Sequence, residues 1–168
     1  MAARTVAIFL PTDGQFKSTT FPAPGVSSDA SGARALLAFD DTADEAVYFD
    51  WVAPVGITTP LTAKITYAMA SATSGNTVWD VAVEAISDGD SVDTDSSESL
   101  DSVNASSATA APGTAGYIDQ ISITLTNNDS VAAADMVRFR LRRTGSSGSD
   151  TATGDANFFR LEIQDDGG

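Results

Sequence analysis

The residues of this chain with the greatest capacity for chemistry are its carboxylates and arginines. Asp88, Asp90, Asp93, Asp95, Glu98 and Asp101 place six carboxylates within fourteen positions, a density that raises calcium coordination, because hard cations take oxygen ligands. An EF-hand loop counted from Asp88 needs glycine at its sixth position and glutamate at its twelfth; Asp93 and Ser99 stand there, which excludes that loop. A solvated acidic loop or an irregular site remains, and no metal is assigned. Asp80 and Glu84 form a second pair, on one face of what reads as a strand and about 13 Å apart. Glycoside hydrolysis by paired carboxylates uses separations of about 5 to 9.5 Å, so no catalytic role is given to them.

The run RFRLRR concentrates the positive charge. Arg138, Arg140, Arg142, Arg143 and Arg160 are five of the nine basic residues, and the first three share one strand face. One reading pairs them with nearby carboxylates such as Glu162, Asp80 or Glu84. The other makes Arg138, Arg140, Arg142 and Arg143 a contact surface for another subunit or partner, since guanidinium recognises carboxylate in a planar, bidentate way. A nucleic-acid surface is disfavoured: the formal net charge is −14, and such a surface needs a cationic footprint.

Several chemistries are absent by composition. The chain has no histidine and no cysteine, which removes the commonest general base, thiolate nucleophiles, Cys-based zinc sites and disulfides. We therefore expect no enzyme and no cofactor. The acidity also disfavours anionic membrane surfaces, and no apolar run reaches the 18 residues of a membrane-crossing helix. The N-terminal apolar run before Pro11 is too short for a secretory h-region.

These side chains must be positioned by strands. Residues 61–69 place Leu61, Ala63, Ile65, Tyr67 and Met69 in one phase, and residues 79–86 do the same with Trp79, Val81, Val83 and Ala85. Period-two alternation of this kind marks strands with one buried face. The two are joined by a turn around Gly75 and form the clearest pair in the chain. Further strands are expected at 4–10, 33–39, 45–52, 117–126, 136–143 and 156–163, and one helical turn at 131–134 capped by Asp129 or Ser130. Eight strands with long loops predict an all-β antiparallel β-sandwich, and two four-stranded sheets in an eight-stranded jelly roll fit the count. Residues 1–32 read as an N-terminal strand and an extended arm, and 33–168 as the sandwich domain. On the arm, Phe16 and Phe21 are candidate anchors on a neighbouring subunit, because isolated exposed aromatics on a polar tether cost solubility. Trp51, Tyr67 and Trp79 lie in the apolar phase; Tyr48 lies in the polar phase and is the aromatic available to stack on a sugar.

The succession of EAVYFDWVAPVG, LTAKITYAMASATSGNTVWDVAVEAI, GTAG at residues 113–116, and FRLRR followed by GDANFFRLEI resembles the single-domain jelly-roll proteins of tailed-bacteriophage structural clusters, the capsid decoration or cement proteins and related virion domains. The resemblance spans about residues 33–164. It implies a non-enzymatic virion protein: a homotrimer on the outer capsid surface that holds neighbouring major capsid protein subunits together. The competing class is a glycan-binding jelly-roll domain of a phage tail or fibre.

Overall fold

The computed structural model describes residues 3–29, 32–96 and 98–167. Its elements in chain order are β1 (Arg4–Phe9), a 3-10 turn at Pro11–Asp13, β2 (Ala23–Asp29), β3 (Gly32–Phe39), β4 (Asp44–Val52), β5 (Leu61–Met69), β6 (Asn76–Thr77), β7 (Trp79–Ile86), β8 (Asn104–Ala105), β9 (Thr109–Ala110), β10 (Ile118–Leu125), β11 (Met136–Thr144) and β12 (Ala156–Asp165). The strands form an antiparallel β-sandwich. One sheet has the order β10-β5-β12-β3-β2, with β1 also pairing β12; the other has the order β4-β11-β7-β8, and β6 and β9 make a small ribbon. β3 pairs the first residues of β12 and β1 the last, so β12 is flanked by two different strands along its length.

Six and four strands replace the expected four and four, because β2 joins the larger sheet and the short β8 joins the smaller. β1 was legible as a strand. Residues 23–29 fall in the expected extended arm, yet they pair with residues 32–38 of β3. Their Pro24 and Gly25 are compatible with a strand because β2 is an edge, where a missing ladder donor faces solvent. Residues 1, 2, 30 and 31 of the expected arm lie outside the described residues. The expected helical turn at 131–134 is also replaced. Asp129 and Ser130 have φ of 54° and 58°, a left-handed conformation that cannot start an α-helix, and the segment is a turn.

β5 and β7 are not ladder neighbours. They lie in opposite sheets and face each other across the core, where Ile65, Tyr67, Trp79 and Val81 are fully buried. The junction between them is tied to other loops rather than closed as a hairpin. Gly75 has φ +86°, and a Cβ there would stand 2.5 Å from the Thr151 carbonyl. Aromatic rings fill the space between the sheets: Phe9 stacks on Phe49 at 5.1 Å, and Phe39 meets Trp79 edge-on at 5.0 Å. Contacts of this kind add to what their buried area contributes.

Arg143 shares the inward phase of β11 with Val137, Phe139 and Leu141, and it is fully buried. This corrects its assignment to a partner surface. Its Nε donates to Asp150 Oδ2 (3.1 Å) and its Nη2 to Asp150 Oδ1 (2.8 Å) and the Ala152 carbonyl (2.8 Å). Nη1 donates to the carbonyls of Phe39 (3.1 Å) and Gly154 (2.9 Å). All five guanidinium N–H groups are thereby used, and Asp150 Oδ2 also accepts the Val78 N–H at 2.9 Å. An isolated charge could not be buried here; a fully hydrogen-bonded pair can.

Removing one partner leaves the other charge buried and alone. Asp150→Ala is expected to cost about 3–5 kcal/mol, lowering Tm by roughly 10 °C for a chain of this size. Replacing both residues with leucine should lose less than Asp150→Ala does. Thermal denaturation of the two variants checks this.

Candidate functional site

The outer face of the four-stranded sheet carries the densest array of charged side chains. On β11 the even-numbered residues point outward, and the register sets their partners. Arg138 lies opposite Asp50 on β4 and Glu84 on β7, Arg140 opposite Tyr48 and Ala82, and Arg142 opposite Ala46 and Asp80. Opposite charges placed directly across a ladder are close enough to pair. Arg138 grips Asp50 with two hydrogen bonds, Nε to Oδ1 at 2.7 Å and Nη2 to Oδ2 at 3.2 Å. Arg142 donates twice to Asp80 Oδ2, at 2.9 and 2.6 Å, and lies 3.6 Å from Asp44. The reading in which these arginines pair with carboxylates therefore describes Arg138 and Arg142, with Asp50 and Asp44 as partners that were not foreseen. Arg160, on the other sheet, pairs with Glu162 at 2.8 Å, as expected.

Two covering segments run over this face. Residues 15–20 pair with the outer edge of β4: Gln15 and Tyr48 exchange backbone hydrogen bonds at 2.9 and 3.0 Å, and the Ala46 N–H reaches the Thr20 carbonyl at 3.1 Å. From the other side, the acidic loop returns along β7. Ser99 N–H donates to Glu84 Oε1 at 2.6 Å, Asp101 N–H to the Val83 carbonyl at 2.8 Å, and β8 continues the pairing. Lys17 and Glu98 join the two coverings through a 2.8 Å ion pair. The hydrogen bond to Glu98 pushes the Lys17 ammonium above its ordinary pKa. Between the coverings lies a furrow of about 750 Å³ lined by Lys17, Glu84, Asp95, Glu98, Met136 and Arg138.

This arrangement changes the standing of several residues. Tyr48, the expected sugar platform, is 5% exposed, because Lys17 sits over its ring with Nζ 5.4 Å from the centroid. Phe16 and Phe21 remain exposed, but they lie in the region that covers β4 and pack on each other at 5.5 Å. Asp80 and Glu84 are buried under the coverings and committed to Arg142 and to the Ser99 N–H. The acidic loop uses its carboxylates locally: Asp90 accepts the Ser87 N–H, Asp93 the Asp95 N–H, and Asp101 the N–H groups of Ser102 and Asp129. Among the described residues, no group of three or more acidic side chains converges as a metal site would require. Lys17 and Glu98 were missed as a pair, since nothing local in either segment indicates the other.

A second surface lies on the outside of the six-stranded sheet. Leu10, Pro11, Ala35, Ile118 and Phe159 line a groove of about 520 Å³, with Arg34 and Arg160 beside them. Leu10 and Ile118 are about half exposed, and Ile8 and Tyr117, next to them in the chain, are exposed as well.

The Arg138 pair has a definite pH signature. Its hydrogen bonds hold the Asp50 carboxyl below the ordinary carboxylate value, so its contribution to stability is complete above that ordinary value and is lost as pH falls through the depressed one. The pair is partly exposed, and exposed pairs of this kind contribute at most about 1 kcal/mol. Asp50→Asn should therefore lower Tm slightly at pH 7, and the gap from the parent should close in acid and narrow in high salt. Melting curves across pH and salt read this out.

No family model matches the chain, and no curated protein matches it. Among solved structures it is similar to an arabinose-bound MgGH51 α-L-arabinofuranosidase, with a TM-score of 0.46 and 17% identity over 95% of this chain. The match spans 26% of the length of that enzyme.

Proposed function

We propose that this chain is a non-enzymatic assembly protein: a β-sandwich of the jelly-roll kind that acts as a capsid decoration protein, associates as a homotrimer and binds major capsid protein on the outer surface of a virion. The observation that carries the reading is the apolar groove on the six-stranded sheet. A broad sheet face that leaves Leu10 and Ile118 half exposed beside Phe159 is a surface suited to burial against another protein. The polar side chains add support from the other direction. Asp50, Asp80 and Glu84 are engaged as hydrogen-bond and ion-pair partners, which is how carboxylates serve a scaffold. The contact surface is thus drawn from the groove and the exposed Phe16 and Phe21, with Arg143 removed from it.

The polar furrow beside Arg138 favours one second reading, a glycan-binding domain, since its size suits a short saccharide. Light scattering tests the first reading. The expected mass is three times the 17.3 kDa of the chain, with Ile118→Asp falling towards a single chain and failing to co-sediment with capsid shells. A parent mass of one chain at all concentrations would remove the trimer, and selective binding on a glycan array would move the assignment to the second reading.

A further inference from the structure

Arg140 differs from every other arginine on the outer face of the four-stranded sheet. Its side chain is 19% exposed, yet among the described residues its guanidinium makes no hydrogen bond. The nearest carboxylate oxygen, Asp80 Oδ1, is 3.8 Å from Nη2, beyond hydrogen-bonding distance. Arg142 takes the other oxygen, Oδ2, twice. Nε of Arg140 is buried and unpartnered, as is Asp80 Oδ1. A largely buried cation with unmet donors is costly. Neighbours equipped with the same residue type solved the problem: Arg138 and Arg142 are each tied to a carboxylate, and Arg143 is saturated.

The side chain lines a pocket of about 150 Å³ together with Lys17, Arg142, Thr20, Tyr48 and Asp44. At about 30 Å³ per water molecule, that is room for one carboxylate group with a few waters. Three of the lining residues are cationic; Lys17 pairs with Glu98 and Arg142 with Asp80, and Arg140 is the one whose donors are unmet. The one carboxylate, Asp44, is turned to other partners: its Oδ1 accepts from the Ser146 N–H (3.1 Å) and Oγ (2.8 Å), and its Oδ2 faces Arg142. In a chain of net charge −14, the attraction for an anion in this pocket comes from the guanidinium of Arg140.

We propose that the Arg140 pocket is a binding site for a carboxylate. The anion takes the open Nη donors of Arg140, a planar pair that carboxylates match, beside Lys17 on the segment that covers β4. The carboxylate comes from a free organic acid or from an aspartate or glutamate of a docked chain; the recognition chemistry is the same. This site is independent of the groove on the opposite sheet, so it stands or falls apart from the assembly reading.

The test is an NMR titration of the isolated chain with sodium acetate against sodium chloride at equal ionic strength. Acetate should shift the Arg140 Nε–H signal and the amides of Ala46, Tyr48 and Arg142 in a saturable way, and chloride should not. Arg140→Lys keeps the charge beside Asp80 but loses the fork, and should weaken acetate by about tenfold. Lys17→Ala, at an exposed position, should weaken it several-fold with the fold intact. A capped pentapeptide containing one glutamate separates the sources. Binding tighter than acetate assigns the site to a side chain, and equal or weaker binding assigns it to a free acid. Equal responses to acetate and chloride, or unchanged acetate affinity in both variants, overturn the proposal.

Discussion

The corner where the two sheets meet depends on one buried ion pair. Arg143 ends the inward phase of β11, and its five N–H groups are divided between the Asp150 carboxylate and three carbonyls, from the end of β3 and from the loop before β12. Asp150 in turn holds the Val78 N–H at the start of β7. Neither charge is a source of large net stability, because desolvation consumes most of the Coulombic gain. What the pair supplies is register. The carbonyls of Ala152 and Gly154 point inward only if residues 150–154 fold back over the guanidinium. Once they do, the Thr151 and Ala152 N–H groups reach the Asn76 carbonyl at 2.8 and 2.9 Å. That fastens the crossing between β5 and β7, and it explains why Gly75, pressed against the backbone of this loop, has no space for a Cβ.

With that corner set, the two outer faces follow different rules. The face of the four-stranded sheet is polar, and its β4 edge would present unpaired backbone groups to other chains. Residues 15–20 occupy that edge, and the acidic loop occupies the other flank, so β7 is buried on both faces for most of its length. The charged side chains beneath these coverings therefore sit in a medium less polar than water, where pairing is stronger and an unpaired group more costly. Among the described residues the six-stranded sheet has no comparable covering over its groove, and its apolar side chains there remain open to solvent.

How far this was legible in the sequence follows from the range of the interactions involved. Alternation is local, so every strand of six or more residues except β2, and the inward placement of Ile65, Tyr67, Trp79 and Val81, could be read directly. The same alternation places Arg143 in the core phase with Phe139 and Leu141. It was assigned to the surface because a buried arginine needs partners, and those partners, at Phe39 and in the loop 150–154, are brought in by tertiary structure alone. Tyr48 shows the converse: its outward phase was right, but its covering comes from residues 31 and 33 positions upstream. β2 escaped because proline, glycine and serine are poor strand formers, and it is pairing along β3 that makes them one.

The distribution of charge connects these faces to recognition. Copies of a chain with net charge −14 repel one another, but at physiological ionic strength that repulsion decays over about 8 Å. Association is then decided by what touches. Most of the cationic charge is spent internally: Arg143 on Asp150, Arg138 on Asp50, Arg142 on Asp80, Arg4 on Asp165 and Lys17 on Glu98. Spending it this way leaves the paired regions unable to attract strongly, and it concentrates specific recognition where donors or apolar surface are still unmatched. On the described surface those places include the guanidinium of Arg140 on one sheet, the Leu10, Ile118 and Phe159 groove on the other, and the exposed Phe16 and Phe21. The sandwich between them keeps the two apart, so a change at one face reaches the other only through a core whose close packing resists small displacements.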